Sequence, residues 1–243
     1  MTATARAVSV SYTIPSLPAG WELSEEIMPE SPVHDAIVKL LVALLDAWAV
    51  RRGLTAVFRN LAVRWDEDLP AVGVDPDVCV VAPPPPPGIR SLQTWLPGHE
   101  TPELAVEVVS ETNPRKDYLV APDKYAASGI AELWIFDPLL AGPAGHGGPY
   151  ILQIWQRDDA GGFGRVYAGP GPARTRALDA WVVVDGQRLR IGDHEDGRGP
   201  WLTGEEAERA AKEAALAAKE AERAAKEAAL ARVTELEAEL RRR

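Results

Sequence analysis

The chain has 243 residues, 46% of them hydrophobic, with one cysteine and a formal net charge of −10, which allows one substantial domain plus an appendage. Cys79 alone excludes an internal disulfide and cannot build a zinc site without at least three other ligands. The acidity excludes a protein that coats nucleic acid through clustered Lys and Arg, but not an enzyme that touches DNA locally. From residue 204 onward there are nine basic and ten acidic residues, so the preceding body, with 17 basic against 26 acidic, carries −9 of that charge. No apolar run approaches the length of a membrane span, and the first residues lack the pattern of a secretory signal. The expectation is a soluble, cytoplasmic protein with no membrane contact.

Residues 1–20 are rich in Thr, Ser, Ala and Pro without sustained periodicity and read as a flexible leader. Residues 34–52 put Ile37, Leu40, Leu41, Leu44, Leu45 and Trp48 on one stripe, which predicts a helix. Ser31 is its N-cap, Pro32 suits its first turn and Gly53 stops it. Residues 55–65 alternate loosely and read as a strand or two halves of one, and 78–82 as a short buried strand. Pro83 to Pro87 are five consecutive prolines; they cannot donate to a ladder, so 83–101 is expected as a surface excursion.

Residues 104–109 form a strand apolar enough to be buried on both faces, yet Glu107 lies inside it. A helix over 117–128, with Pro122 near its start and Gly129 at its end, leads to a strand at 132–137. Strand, helix and strand in that order predict a crossover within one sheet. Residues 150–156 with 164–167, and 181–184 with 188–191, read as hairpins that extend the sheet antiparallel. The last 40 residues repeat with a fourteen-residue period in strong helix formers, opened by a capping box of Thr203 and Glu206. Fully helical, this tail would be about 60 Å long. Its heptad-spaced stripe is all alanine (Ala207, Ala210, Ala214, Ala217 and onward), and a second, incomplete stripe carries Leu216, Leu230, Val233, Leu236 and Leu240. A coiled coil or partner-binding role for residues 204–243, in a homo-oligomer or with another protein, stands beside a solvated single helix.

The chemistry lies in two carboxylates that run into apolar strands. Asp77 precedes Val78-Cys79-Val80-Val81, and Glu107 sits between Val106 and Val108. A buried charge is costly unless it is paired or bound to a metal, so carboxylates on neighbouring strands point to a cation site. Hard oxygen ligands suit magnesium or manganese, and magnesium takes one or two carboxylates while keeping several waters. A nearby ammonium would complete a phosphodiesterase site by offsetting charge on the phosphate. The structural alternatives are a turn-capping role for Asp77 and a satisfied buried carboxylate for Glu107. Asp117 reads equally as a helix N-cap, Tyr125, Trp134 and Phe136 as core, and His99, His146 and His194 as loop residues without ligand spacing.

Pro76-Asp77-Val78, Pro102-Glu103-Leu104-Ala105-Val106-Glu107-Val108-Val109-Ser110, Asp117, Tyr125-Ala126-Ala127-Ser128-Gly129-Ile130 and Leu133-Trp134-Ile135-Phe136-Asp137-Pro138 occur in that order. Together with Met28-Pro29-Glu30-Ser31-Pro32-Val33-His34, the pattern resembles the Uma-two family of restriction-endonuclease-like proteins, within the PD-(D/E)XK nuclease superfamily. The resemblance runs from about residue 22 to 185. It implies an α/β (α+β) fold with a restriction-endonuclease-like mixed central sheet flanked by helices and, in this chain, a long C-terminal helix. The implied division is a leader at 1–20, a nuclease-like domain at 21–200 and a C-terminal helix at 201–243. It further implies that Asp77 and Glu107 are metal ligands for Mg2+ or Mn2+, that His34 supports the site, and that DNA is the substrate.

The superfamily's lysine lies two residues beyond the glutamate, which here is Val109. In relatives without it, a lysine lies four residues after the aspartate matched by Asp117, which here is Ala121. Lys124, one helical turn further on, is the nearest candidate, and Lys116 is the other. The expectation is therefore a metal-dependent endonuclease with Asp77, Glu107, His34 and Lys124 at its site. The alternative is a catalytically weak or inactive nuclease fold that assembles through its C-terminal helix.

Overall fold

The computed structural model describes residues 8–10, 21–23, 31–144 and 148–242. Most of the leader, residues 28–30 of the motif before His34, and His146 lie outside them. The chain divides into two compact units, Met1–Trp201 and Leu202–Arg243. In chain order the elements are β1 (Val8–Val10), α1 (Pro32–Arg52), β2 (Ala56–Arg59), β3 (Ala62–Arg64), β4 (Val78–Val81), β5 (Ser91–Gln93) and β6 (Leu104–Val108). A π-helical turn (Lys116–Val120) then runs into α2 (Ala121–Ser128), followed by β7 (Glu132–Phe136), β8 (Leu152–Arg157) and β9 (Phe163–Ala168). The remaining elements are β10 (Ala173–Thr175), β11 (Ala180–Asp185), β12 (Arg188–Gly192) and α3 (Gly204–Leu240).

A seven-stranded mixed sheet, in the order β1-β9-β8-β7-β6-β4-β2, is the centre of the first unit. Its one parallel pair is β6 with β7, joined through α2 as the strand-helix-strand order predicts. Because side chains alternate along a strand, each central strand feeds two cores. Val78, Val80, Leu104, Val106, Val108, Trp134 and Phe136 face the stripe of α1, with Leu41, Leu44 and Leu45 fully buried. Burial on this scale contributes about 1.5–3 kcal/mol for each large apolar side chain. On the opposite face Cys79, Val81, Ala105, Val109, Leu133 and Ile135 meet Ala121, Tyr125 and Ala126 of α2, and Val63 and Leu92 of a small parallel sheet formed by β3 and β5. The α1 caps are as expected: Ser31 Oγ accepts from His34 N at 3.2 Å, and Gly53 closes the helix at φ 88°.

Four local expectations need correction. Residues 8–10 are not loose but pair antiparallel with β9 as an edge strand. The 83–101 excursion contains β5, whose Leu92 is buried against β3; an apolar residue placed between polar neighbours gave too short a signal to register as a strand. His99, read as a surface residue, accepts the Gln93 N–H at 3.1 Å through Nδ1 and so terminates β5. The hairpin of β11 and β12 joins β10 in a separate three-stranded sheet rather than extending the central one. Its inward residues Ala180, Val182, Leu189 and Ile191 bury against the α1 side of the core. Alternation defines which face of a hairpin is buried and leaves open which sheet it joins.

In the second unit, Thr203 and Glu206 form the reciprocal capping box, and ion pairs such as Glu208–Lys212 at 2.7 Å and Glu222–Lys226 at 2.6 Å run along the helix. No residue of α3 is buried, and Leu216, Leu230, Val233, Leu236 and Leu240 are exposed. Among the described residues, no helix is long and apolar enough to cross a membrane.

Candidate active site

The antiparallel ladder between β4 and β6 pairs Val78 with Val106, Cys79 with Ala105 and Val80 with Leu104. One step beyond, Asp77 falls opposite Glu107. By the same alternation both belong to the α2 face, so two carboxylates meet at the end of a strand pair whose other residues are apolar. Asp77 Oδ2 accepts the Val108 N–H at 2.6 Å and lies 3.3 Å from His34 Nε2. His34 reaches it from the first turn of α1, across the end of the sheet. Glu107, only 4% exposed, accepts the Tyr125 hydroxyl at 2.7 Å through Oε1. Tyr125 is fully buried on α2, and its ring packs in the core while its hydroxyl holds the carboxyl. The second oxygens, Asp77 Oδ1 and Glu107 Oε2, carry no hydrogen bond among the described residues.

Desolvation dominates the electrostatics. Burial pushes Glu107 up to about 8, with Lys116 opposing the rise and Asp117 and Asp77 adding to it. Asp117, also 4% exposed, is pushed up to about 7, again by burial first. Lys116 is held above the ordinary lysine range chiefly by Glu107, with Asp117, Asp77 and Asp75 contributing, and its Nζ lies 3.8 Å from Asp117 Oδ1. Lys124 behaves in the opposite way: burial lowers it first, and Lys116 lowers it further. Glu107 is a lesser, opposing influence there. Glu107 is thus the leading influence on Lys116 and a lesser one on Lys124, the lysine expected at the site. The two positions where the resemblance allows a lysine, Val109 and Ala121, are core side chains 4% and 3% exposed.

The structure therefore brings together Asp77, Glu107 and His34, and sets the Lys116 ammonium 3.8 Å from Asp117. Asp117 is no N-cap, since it lies within the π-helical turn. Tyr125 was readable in principle, because a buried phenol on a helix facing a strand carboxylate needs an acceptor. Lys116, the other lysine the sequence offers, could not be preferred there, because nothing in the sequence announces the π-helical turn that presents it.

Among the described residues no three His, Cys, Asp or Glu side chains converge as a ready-made metal cage. A magnesium ion does not need one. Two carboxylates, each with a free hard oxygen, match its habit of taking one or two protein ligands and completing the octahedron with water and substrate. The donor set therefore fits a divalent cation.

Residues 22–141 match the model of the Uma2 family, described as "Putative restriction endonuclease". Over these residues, just under half of its length, the chain is similar to the Uma2 family. The matched segment holds every site residue described above, from His34 through Asp77, Glu107, Lys116 and Asp117 to Tyr125. The crystal structure of "a putative nuclease belonging to DUF820" from Anabaena variabilis ATCC 29413 is similar at 14% identity and a TM-score of 0.43, over 63% of this chain and 76% of that one. No curated protein matches the sequence.

Proposed function

We propose that the Uma2-like domain is a divalent-metal-dependent endonuclease that hydrolyses DNA phosphodiester bonds, with Mg2+ or Mn2+ held by Asp77 and Glu107. The observation that carries this reading is the pair of strand-end carboxylates, each with one oxygen free of hydrogen bonds among the described residues, beside the Lys116 ammonium. When bound, the cation would supply a Lewis acid for the phosphate and a lowered pKa for the attacking water.

The chain's own residues divide the remaining work. His34 and the Val108 N–H fix the rotamer of Asp77, and Tyr125 fixes that of Glu107, so neither carboxylate must reorganise when a ligand arrives. Lys116, 3.8 Å from Asp117 and coupled most strongly to Glu107, supplies a positive charge that would offset charge developing on the phosphate. The domain's negative charge opposes the approach of DNA. Binding must therefore rest on a few local contacts and weaken with salt.

The test is nicking of supercoiled plasmid by purified protein with magnesium or manganese. Cleavage should fall by about 100-fold or more in Asp77→Ala and in Glu107→Ala. No cleavage by the wild type across metals and salt concentrations, or undiminished cleavage by both variants, would overturn the reading.

A further inference from the structure

The π-helical turn is the least ordinary piece of backbone near the carboxylates. In an unbroken α-helix, at about 100° per residue, Lys116 would stand on the side opposite Tyr125, nine residues later. The single residue inserted by a π turn rotates everything before it by about 100°, which brings Lys116 toward the face of Tyr125 and sets Asp117 nearly in line with it. The Ala121 N–H donates to the Lys116 carbonyl, the bond that defines this wider turn. Isolated π turns are uncommon and need support from their surroundings.

That support is visible at the middle of the turn. Tyr118 Oη lies 2.9 Å from Asp137 Oδ2 and 2.9 Å from the Tyr150 carbonyl oxygen, and it accepts the Tyr150 N–H at 3.1 Å. With one proton to give, it donates best to the carboxylate. Asp137 is itself fully buried at the end of β7 and also accepts the Ala141 N–H at 2.9 Å and the Gly142 N–H at 2.8 Å. The ring of Tyr118 covers Gly142 so closely that a Cβ there would lie 2.3 Å from Cε2 and Cζ. Only glycine leaves room for the ring.

Building on the proposed nuclease reading, we propose that Tyr118 is a positioning residue. Its hydroxyl, seated between Asp137, Tyr150 and Gly142, fixes the π-helical turn that turns Lys116 toward the face of Tyr125 and sets its ammonium 3.8 Å from Asp117 Oδ1. Tyr118 does not touch the carboxylate pair and acts through Lys116.

The experiment is Tyr118→Phe in the full chain, which removes one oxygen and keeps the ring. In single-turnover cleavage at saturating DNA the rate should drop by about 10- to 100-fold, as for other groups that orient a ligand from behind. DNA affinity should stay within about twofold. In a Lys116→Ala background the same substitution should cost no more than about twofold, because the two residues act as one unit. A second readout needs no cleavage at all. Acylation of Lys116, followed by mass spectrometry against Lys39 and Lys226 as internal references, should quicken by about threefold or more in Tyr118→Phe, because an ammonium held among carboxylates stays protonated and unreactive. Gly142→Ala should reproduce that change by evicting the ring. Unaltered Lys116 acylation in both variants, or a full additive loss of rate in the Lys116→Ala background, would overturn the proposal. Should the wild type cleave nothing, the acylation result still decides the role of Tyr118 and separates its failure from that of the nuclease reading.

Discussion

Glu107→Gln isolates the electrostatic cost of the site. The wild-type carboxyl titrates at 4.5 when unperturbed and at about 8 in the folded domain, where burial disfavours its charge. Between those values the unfolded chain has released this proton and the folded one has not. Folding stability contributed by the neutral carboxyl is therefore fully present below about pH 4.5 and is lost as pH rises through about 8. A displacement of that size is worth on the order of 5 kcal/mol once the group has ionised. The glutamine keeps the oxygen that accepts from Tyr125 and has no proton to lose. Urea unfolding in a chelator should therefore find the variant close to wild type at about pH 5 and more stable by several kcal/mol at about pH 9, with similar m-values. Magnesium at 100 times its dissociation constant should return about 2.7 kcal/mol to the wild type at the higher pH and little to the variant. A wild-type-minus-variant difference that stays constant with pH would refute the reasoning.

Lys116→Ala should reduce cleavage by about 10²- to 10³-fold, the usual effect of removing one donor to developing charge, while Lys124→Ala stays within about fivefold; steady-state nicking rates check both. Glu132 is 1% exposed and accepts from Trp134 Nε1 at 2.6 Å, Gln156 Nε2 at 2.9 Å, Arg176 N at 2.8 Å and Ala177 N at 3.2 Å. Glu132→Ala strands those donors and should cost about 3–5 kcal/mol by chemical denaturation, without changing metal affinity measured by calorimetry.

Much of this molecule was legible in its residues because the strongest signals are local and periodic. The stripe of α1 with Ser31 and Gly53 at its ends, the apolar runs of β4 and β6, and the crossover through α2 all follow from side-chain spacing. The juxtaposition of Asp77 and Glu107 was readable for the same reason, since a charge in an apolar strand has few places to go. The lysine was not readable in the same way. Ordinary helical phase points to Lys124, whereas in the fold Glu107 is the leading influence on Lys116, carried by the π-helical turn, and a lesser one on Lys124. The division of the late hairpins between sheets was hidden too, because it depends on which face of a finished core still needs cover.

The two carboxylates are gripped from opposite sides of the sheet: Asp77 by His34 at the head of α1, Glu107 by Tyr125 on α2. This has a consequence for the order of folding. With only α2 docked, Asp77 keeps the Val108 N–H but lacks His34; with only α1 docked, Glu107 lacks Tyr125. Both carboxylates therefore gain their full set of partners only when both helical layers have closed on the sheet.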